Sequence, residues 1–258
     1  MHPIFVKIGS FEIHSYAVMF CLAFLTALFL SHRAASAEKI NREYLLDIFV
    51  IAMIASFFGA RLTNIFLNWD LYSHEPLWRT IISRQTGLTF MGGFLLVLAA
   101  IIIYCRVKKI NILYYLDFLT PFAALGYAIT RTGCFLSGCC YGQPTTMPWG
   151  VVYPVVDGIT RHPTQLYSSA SVLIIFFLLS YLKKYKTFDG FIFALFMMFY
   201  GVYRFCVEFF RTDEPAVGFM TLGQTASLFG ILAGALLFYF CKKNMSKKNM
   251  IEAQKNVL

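Results

Sequence analysis

Three arginines lie inside long apolar segments of the sequence, where a charged side chain is rare. They are Arg61, Arg131 and Arg204. An arginine deep in a bilayer is costly, so it usually faces a protein interior or a water-filled cavity. Such a cavity suits an anion, and phosphate fits best because the planar guanidinium donates two parallel hydrogen bonds to its oxygens. The three residues therefore predict a site for a phosphate-bearing lipid headgroup.

An acidic residue accompanies one of these arginines. Glu208 follows Arg204 by four positions, which places both side chains on one face of a helix, where they can form an ion pair. Each arginine taken singly could instead extend toward the lipid headgroups. Their common depth, in the outer half of the bilayer along three predicted helices, favours a shared cavity.

Polar and small residues fall at the same predicted depth as the arginines. Small residues allow helices to approach closely or a ligand to reach the backbone, and the polar ones can bind it. We expect this set to line the substrate site: His14, Tyr16, Gly92, Gly93, Gly142, Gln165 and Tyr167.

The composition indicates that these residues are positioned by membrane helices. Of 258 residues, 59% are hydrophobic and 14% charged, and the mean hydropathy is +0.65. A soluble domain carries about 25% charged residues, so the values exclude a soluble enzyme, a disordered chain and a nucleic-acid-binding domain. The net charge of +9 is then expected to reflect membrane orientation, with no nucleic acid as partner.

Seven apolar windows have the length of membrane spans, since a bilayer core of ~30 Å needs about 20 helical residues. The sequence therefore predicts an all-α integral membrane protein with seven transmembrane helices, forming a single domain over residues 1–241. The windows are 15–32, 44–67, 88–105, 113–133, 165–182, 189–210 and 217–241.

The basic residues predict the orientation of these spans. Fourteen Lys and Arg residues lie in the loops after spans one, three and five and in the tail 242–258, against five on the other side. Basic loops stay in the cytoplasm, so we expect the N-terminus outside and a basic cytoplasmic tail. The long loops 69–87 and 134–164 would then form a small outside head, and loops of such length are often functional.

Three of the seven cysteines are close together in the sequence, at Cys134, Cys139 and Cys140. Small polarizable cysteines are common in tightly packed helices, and packing is the favoured explanation. A thiol role in chemistry and a metal site are the two alternatives, although the second ligand pair of a common zinc motif is missing. The sequence predicts no metal and no cofactor.

Short motifs occur in order along most of the chain. They are HSY at 14–16, GARL at 59–62, TFMGGF at 89–94, RTGCFLSGCCYG at 131–142, PWGVVYP at 148–154, RHPTQLY at 161–167 and YGVYRFCVEFFR at 200–211. In these motifs the sequence resembles the prolipoprotein diacylglyceryl transferase family. The resemblance implies a seven-helix bundle with a lipid cavity, in the bacterial cytoplasmic (inner) membrane.

The resemblance also implies a reaction and its partners. The family moves the diacylglyceryl group of phosphatidylglycerol onto the lipobox cysteine in the signal peptide of a secreted prolipoprotein, releasing glycerol phosphate. By motif position, Arg131 and Arg204 match the family's essential arginines, Tyr16 its tyrosine in span one, and Glu208 the acid that orients the second arginine. Arg61 is expected to help bind the lipid, and Gly142 with Gln165 to shape the wall of the site.

Four positions depart from the family pattern. Met91 stands where the family usually has His, Cys134 where it has Asn, and Cys139 and Ser168 where it has Glu. The anion-binding half of the site is thus kept, with Cys134 and Cys139 beside the substrate, while the proton-handling half is changed.

The departures leave the base and the acceptor open. The base could be His162, a thiolate such as Cys139, or the ionised substrate itself. A paralogous phospholipid-dependent transferase with a different acceptor is one alternative function. A lipid-binding or thiol redox membrane protein without this activity is another.

Overall fold

The helices occupy the apolar segments of the sequence. The computed structural model describes residues 1–9, 11–38, 40–72, 90–154, 156–212, 215–217 and 219–255. In these ranges the helices are α1 (Ser15–Ala35), α2 (Arg42–Leu67), α3 (Trp69–Tyr72), α4 (Phe90–Val107), α5 (Ile112–Ser137), α6 (Thr164–Leu182), α7 (Phe191–Glu208) and α8 (Leu222–Lys255). A short 3₁₀ turn, Lys183–Tyr185, follows α6.

Six helices in the described ranges are long and apolar enough to cross a membrane, namely α1, α2, α5, α6, α7 and α8. The protein is therefore a multi-pass membrane protein. Helix α4 is also apolar, but the part whose side chains the structure describes, Gly92–Val107, is shorter than these six helices. Each of the seven predicted windows contains a helix, while the count of seven spans and the orientation of the termini remain predictions. Helix α8 continues to Lys255, through most of the predicted tail.

The predicted orientation can be checked directly. A reporter that is active only in the cytoplasm is expected to be active when fused after Leu258, because 14 of the basic residues lie on the cytoplasmic side of the predicted topology. A tag inserted between residues 142 and 160 is expected to be labelled from outside intact cells. Finding both on the same side would contradict the seven-span arrangement.

In the part of the chain that the structure describes, three short antiparallel hairpins precede three of the helices, and none of them was predicted from the sequence. Strands β1 (Ile4–Ile8) and β2 (Phe11–His14) pair directly before α1, with Ile4 opposite His14. Strands β3 (Val151–Val152) and β4 (Thr160–Arg161) pair before α6, and β5 (Pro215–Val217) and β6 (Met220–Thr221) pair before α8. Each hairpin thus lies within a few residues of the start of the helix that follows it.

The chain divides into two compact units, and the first contains Met1–Ser31 and Leu113–Leu258. Its core is apolar and includes Ala124, Val172, Leu179, Ile192 and Tyr203. One buried charge in this unit has a clear role. The Asp117 carboxylate accepts hydrogen bonds from the backbone N–H groups of Gly190 (2.8 Å) and Phe193 (2.9 Å), which caps the start of α7.

The second unit, His32–Ile112, is built on the contact between α2 and α4. Glycines lie where the two helices meet. A Cβ on Gly59 would lie 2.5 Å from the Gly92 carbonyl oxygen, and one on Gly93 would lie 2.8 Å from the Ser56 carbonyl oxygen. Close packing of membrane helices on small residues explains this pattern.

This contact predicts the effect of one added methyl group. A Cβ on Gly92 would overlap the Thr63 side chain and lie 2.6 Å from the Gly59 carbonyl oxygen, so Gly92→Ala is expected to destabilise the protein by about 1–3 kcal/mol. Thermal unfolding in detergent measures this. Gly230→Ala is the matched control, because nothing lies within 4 Å of a Cβ there and alanine is the better helix former. Equal melting temperatures for the two variants would contradict the packing argument.

Candidate functional site

Arg131 is held against a cluster of tyrosines in the first unit. Its Nε donates a 2.8 Å hydrogen bond to the Tyr127 hydroxyl, and the guanidinium lies 4.8 Å from the centre of the same ring. The Tyr127 hydroxyl in turn lies 3.2 Å from the hydroxyl of Tyr203. Tyr203 directly precedes Arg204 on α7. The bond uses Nε and leaves both Nη groups for another partner. Arg131 on α5 is thus connected to the helix that carries Arg204.

Arg204 forms the predicted ion pair with Glu208. One Nη atom lies 2.8 Å from a Glu208 carboxylate oxygen, and the Glu208 residue is 3% exposed. The other terminal nitrogen, Nη1, is buried and has no hydrogen-bond partner among the described residues. Buried polar groups normally have partners, so this donor marks a place where a ligand oxygen can bind.

Glu208 is anchored at the start of α8. Its carboxylate accepts a 3.1 Å hydrogen bond from the Thr221 hydroxyl. Thr221 and Gln224 bond each other reciprocally, backbone N–H to side-chain oxygen, at 3.0 and 3.1 Å, which is a capping box. A Cβ on Gly223 would lie 2.6 Å from the carboxylate carbon. The missing side chain therefore lets the carboxylate reach the positive end of α8.

A third arginine joins this group and was not among the predicted site residues. The Nε atom of Arg211 lies 3.7 Å from the Glu208 carboxylate. Its backbone forms a bridge with Gly142 and accepts a 2.8 Å hydrogen bond from the Gln143 side chain. Because Arg211 follows the end of α7, the sequence indicated only a surface charge there.

Gly142 lies where the loop after α5 meets two other segments. Its N–H donates to the His162 carbonyl at 2.9 Å, and the Gln143 N–H donates to the Phe210 carbonyl at 2.8 Å. A Cβ at position 142 would overlap the Phe210 carbonyl and lie 2.7 Å from the Thr164 side chain. Only glycine fits at this junction, and its role in shaping the wall of the site stays a prediction.

The first turn of α6 binds the backbone of Cys139 and Cys140, in the loop that follows α5. Gln165 is 1% exposed. Its amide donates to the Cys139 carbonyl at 2.5 Å, and its oxygen accepts from the Tyr153 hydroxyl at 2.9 Å. The Thr164 hydroxyl donates to the Cys140 carbonyl at 2.7 Å. Both ends of Gln165 are thus used within the protein, so its contribution is to support the loop.

His162, one of the predicted bases, belongs to a chain of polar side chains on the same face. The Trp149 indole N–H donates to the Tyr167 hydroxyl at 2.8 Å, and that hydroxyl lies 3.0 Å from Nδ1 of His162. Since Tyr167 already accepts from Trp149, its own proton is available for Nδ1. With Nδ1 bonded to Tyr167, Nε2 of His162 is left for another partner.

The thiols of Cys134, Cys139 and Cys140 converge, with their sulfur atoms all within 4.8 Å of one another. Cys134 is 6% exposed, and the other two are exposed. Hydrogen bonds from Cys134 and Cys139 lower the pKa of the Cys140 thiol, and the charges of Arg131 and Arg211 act in the same direction. The pKa of Cys139 is raised by its hydrogen bonds to the other two thiols.

Tyr16 opens α1 in the same unit and lies within electrostatic range of Arg131 and the three cysteines. A Cβ on Gly133 would lie 3.6 Å from the Tyr16 Cα atom, so α1 approaches α5 closely there. The Tyr16 side chain is 42% exposed. His14, at the end of β2, is exposed, and none of its described contacts joins it to the arginines.

The other predicted site residues lie in the second unit. Arg61 is 3% exposed, so its charge is buried as expected. Gly92 and Gly93 have the packing role described above, and binding of a substrate by either residue remains a prediction. Met91 is the second residue of α4, but its side chain lies outside the described part. So do residues 73–89, which include most of the predicted loop 69–87.

An open cavity of about 330 Å³ adjoins the Glu208 cluster. Its lining combines the polar residues Gln143, Glu208 and Arg211 with apolar residues that include Phe205 and Phe219. A crevice of mixed polarity at the ends of two apolar helices can accept a ligand that has both a charged and an apolar part.

Comparison with known proteins gives one family. The family model for prolipoprotein diacylglyceryl transferase matches residues 3–240. The chain is 34% identical to the phosphatidylglycerol–prolipoprotein diacylglyceryl transferase of Finegoldia magna over 250 residues, covering 96% of this chain and 99% of the relative. The enzyme of the same name from Clostridium tetani is 31% identical over 244 residues, covering 92% and 97%.

A third relative, the enzyme of that name from Geobacter sulfurreducens, is 32% identical over 240 residues, covering 90% of this chain and 92% of the relative. The match extends over both compact units and every motif on which the resemblance was based. The chain therefore belongs to the prolipoprotein diacylglyceryl transferase family.

Proposed function

We propose that this protein transfers the diacylglyceryl group of phosphatidylglycerol to the lipobox cysteine of a prolipoprotein signal peptide, in the bacterial cytoplasmic (inner) membrane. The relatives that match over most of the chain carry this activity in their names. The observation that supports the chemistry best is the buried Nη1 donor of Arg204, which lacks a partner among the described residues, beside the Glu208 ion pair.

The arginines hold the phosphate in this proposal. Arg131 and Arg204 belong to α5 and α7, which the Tyr127–Tyr203 contact joins, and each has donors available for phosphate oxygens. Fixed donors stabilise the charge that develops as the glycerol phosphate leaves. Glu208 keeps Arg204 oriented, and Tyr16 donates to the phosphate or polarises the ester oxygen.

The lipid enters from the membrane side. The cavity beside Glu208 and Arg211 has exposed aromatic residues, with Phe209 at 60% and Phe219 at 87% exposure. Acyl chains can contact these rings while the headgroup reaches the arginines. Arg61 then contributes to lipid binding rather than to bond breaking.

The contribution of the Glu208 charge to the orientation of Arg204 can be measured with the Glu208→Gln variant. Glu208→Gln is expected to lower the transfer rate about tenfold, less than Arg204→Ala, because the amide keeps a hydrogen-bond partner for the guanidinium while removing the ion pair. Steady-state release of glycerol phosphate from labelled phosphatidylglycerol measures it. Glu12→Gln is the control, because its ion pair with Lys7 is exposed and contributes little. A loss in Glu208→Gln as large as that in Arg204→Ala would contradict the orienting role.

The changed positions support a second candidate, a transferase with the same lipid donor and a different acceptor. Cys134 and Cys139 stand where the family usually has Asn and Glu. Ser168 donates back to the Thr164 carbonyl at 2.7 Å, so it does not replace the missing acid of the family pattern.

Both candidates are tested with purified protein in phospholipid nanodiscs. The expected result is that a lipobox peptide gains the mass of one diacylglyceryl group with phosphatidylglycerol and not with phosphatidylethanolamine, and that a Cys→Ser peptide gains none. Consumption of phosphatidylglycerol only with an acceptor other than the lipobox peptide would favour the second candidate. No consumption with any thiol, hydroxyl or amine acceptor would refute both.

A further inference from the structure

The convergence of three thiols after α5 is the feature that the proposed function leaves unused. The sulfur atoms of Cys134, Cys139 and Cys140 lie within 4.8 Å of one another, and all three cysteines are free. Packing alone explains a buried Cys134, but Cys139 and Cys140 are exposed and gain little by packing.

The backbone holds the three thiols together. The Cys139 N–H donates to the Cys134 carbonyl at 3.1 Å, and Cys140 has a φ of 61°, a left-handed conformation that is uncommon for cysteine. The side chains of Gln165 and Thr164 donate hydrogen bonds to the carbonyl oxygens of Cys139 and Cys140, respectively, and these bonds stabilise the turn. Backbone strain of this kind is typical of functional sites.

We propose that Cys134, Cys139 and Cys140 bind one Zn²⁺ ion, and that the thiol of the acceptor occupies its fourth coordination position. The ligand set fits, because Zn–S bonds of about 2.3 Å place sulfur ligands about 4 Å apart. This inference rests on the proposed function for the identity of the acceptor, and it departs from the sequence-based expectation of no metal.

The site has an open position and compensated charge. Among the described residues, no further His, Cys, Asp or Glu joins the three-thiol group, and three protein ligands with one open position are typical of catalytic zinc. Three thiolates and Zn²⁺ carry one net negative charge. Arg131 and Arg211 act electrostatically on Cys140, so positive charge is already in place.

The chemistry of the step balances without another reagent. The acceptor thiol binds the metal, and its proton passes to solvent water, since a coordinating thiol is deprotonated. The sulfur electron pair forms a C–S bond to the glyceryl carbon, and the C–O bond to the phosphate breaks. The leaving electron pair stays on the phosphate oxygen, which Arg131 and Arg204 stabilise. Coordination to the metal thus deprotonates the acceptor thiol without a base at position 91, where this chain has Met and the family usually has His.

Metal binding is tested first, independently of activity. Full-length protein in detergent, equilibrated with Zn²⁺ and desalted, is expected to hold one ion per chain. Cys139→Ser and Cys140→Ser are expected to lower the Zn²⁺ affinity at least tenfold. Cys241→Ser is the matched control, because this thiol lies beside Gly190 at the start of α7, away from the end of that helix at Glu208. Gel filtration and circular dichroism confirm folding of each variant.

The fourth position is tested by Co²⁺ substitution. The visible spectrum of the Co²⁺ protein is expected to change when a lipobox peptide is added and to remain unchanged with its Cys→Ser form. Free thiols without stoichiometric Zn²⁺, or Zn²⁺ unaffected in Cys139→Ser and Cys140→Ser, would overturn the metal site.

Activity separates this inference from the proposed function. Removal of Zn²⁺ by a chelator is expected to lower transfer at least tenfold, with recovery when Zn²⁺ is returned. Full transfer in metal-free protein would overturn the inference and leave the proposed function intact. Stoichiometric Zn²⁺ with a Co²⁺ spectrum that responds to a thiol other than the lipobox peptide, and no transfer to that peptide, would support the metal site and refute the proposed acceptor.

Discussion

Replacing either Arg131 or Arg204 with alanine is expected to lower the rate of diacylglyceryl transfer by about 10²–10³, the usual cost of losing one donor to a developing oxyanion. Arg131 acts from α5, fixed by its 2.8 Å bond to Tyr127. Arg204 acts from α7, fixed by its 2.8 Å ion pair with Glu208. Since each donor is held before the lipid arrives, its loss removes stabilisation that water cannot replace.

The rate of glycerol phosphate release from labelled phosphatidylglycerol measures this loss, with expression and folding checked for each variant. Lysine is expected to rescue poorly at both positions, because a point charge cannot form the two parallel hydrogen bonds of a guanidinium. Arg33→Ala, at the end of α1, is the control and should retain full activity. Lysine variants as active as the native protein would show that charge alone is required.

Gly142→Ala is expected to lower the rate about 10²-fold, although it changes no group that contacts the phosphate. An added Cβ would overlap the Phe210 carbonyl and lie 2.9 Å from the His162 Cβ. The loop must therefore move, and a shift of about 1 Å in a reacting group can cost that much. The loop carries Cys139 and Cys140 shortly before Gly142, and Gly142 itself pairs with Arg211.

Transfer rate and thermal stability are both measured for this variant. Gly230→Ala is the control, because the α8 position has room for a methyl group. The transfer rate of Gly142→Ala is expected to fall about 10²-fold, while its melting temperature is expected to change little. Native activity in Gly142→Ala would mean that the loop can shift without consequence for the site.

The helices and the Arg204–Glu208 pair could be predicted from the sequence, because both depend on local spacing. Long apolar runs determine the helices, and a separation of four residues brings side chains together on a helix whatever surrounds it. The motif indicated a role for Gly142, but the two neighbouring segments that exclude a Cβ there could not be predicted from it.

The remaining features depend on contacts between segments distant in the chain. Tyr127 and Tyr203 lie in apolar helices where a tyrosine looks like ordinary packing, and only the fold brings their hydroxyls to 3.2 Å. The hairpins have strands of two to five residues, too short for an alternating pattern to stand out. Arg211 and Thr221 reach Glu208 only because α7 and α8 meet beside the β5–β6 hairpin.

The convergence of the cysteines was unpredictable for a related reason. Cys134, Cys139 and Cys140 are close together in the sequence, but that does not bring their thiols together. The left-handed backbone at Cys140 and the hydrogen bond from Gln165 to the Cys139 carbonyl do so. A turn of this kind is not expected of cysteine, so the sequence favoured packing over a metal site.

Restoration of lipoprotein modification in bacterial cells that lack their own transferase tests the central claim most directly. The native protein is expected to restore diacylglyceryl attachment to the lipobox cysteine of a reporter prolipoprotein. The Arg131→Ala, Arg204→Ala double variant, present in the membrane at the same level, is expected to leave the reporter unmodified. Full modification by the folded double variant would contradict the account, because the phosphate of the departing group would then be stabilised without either arginine.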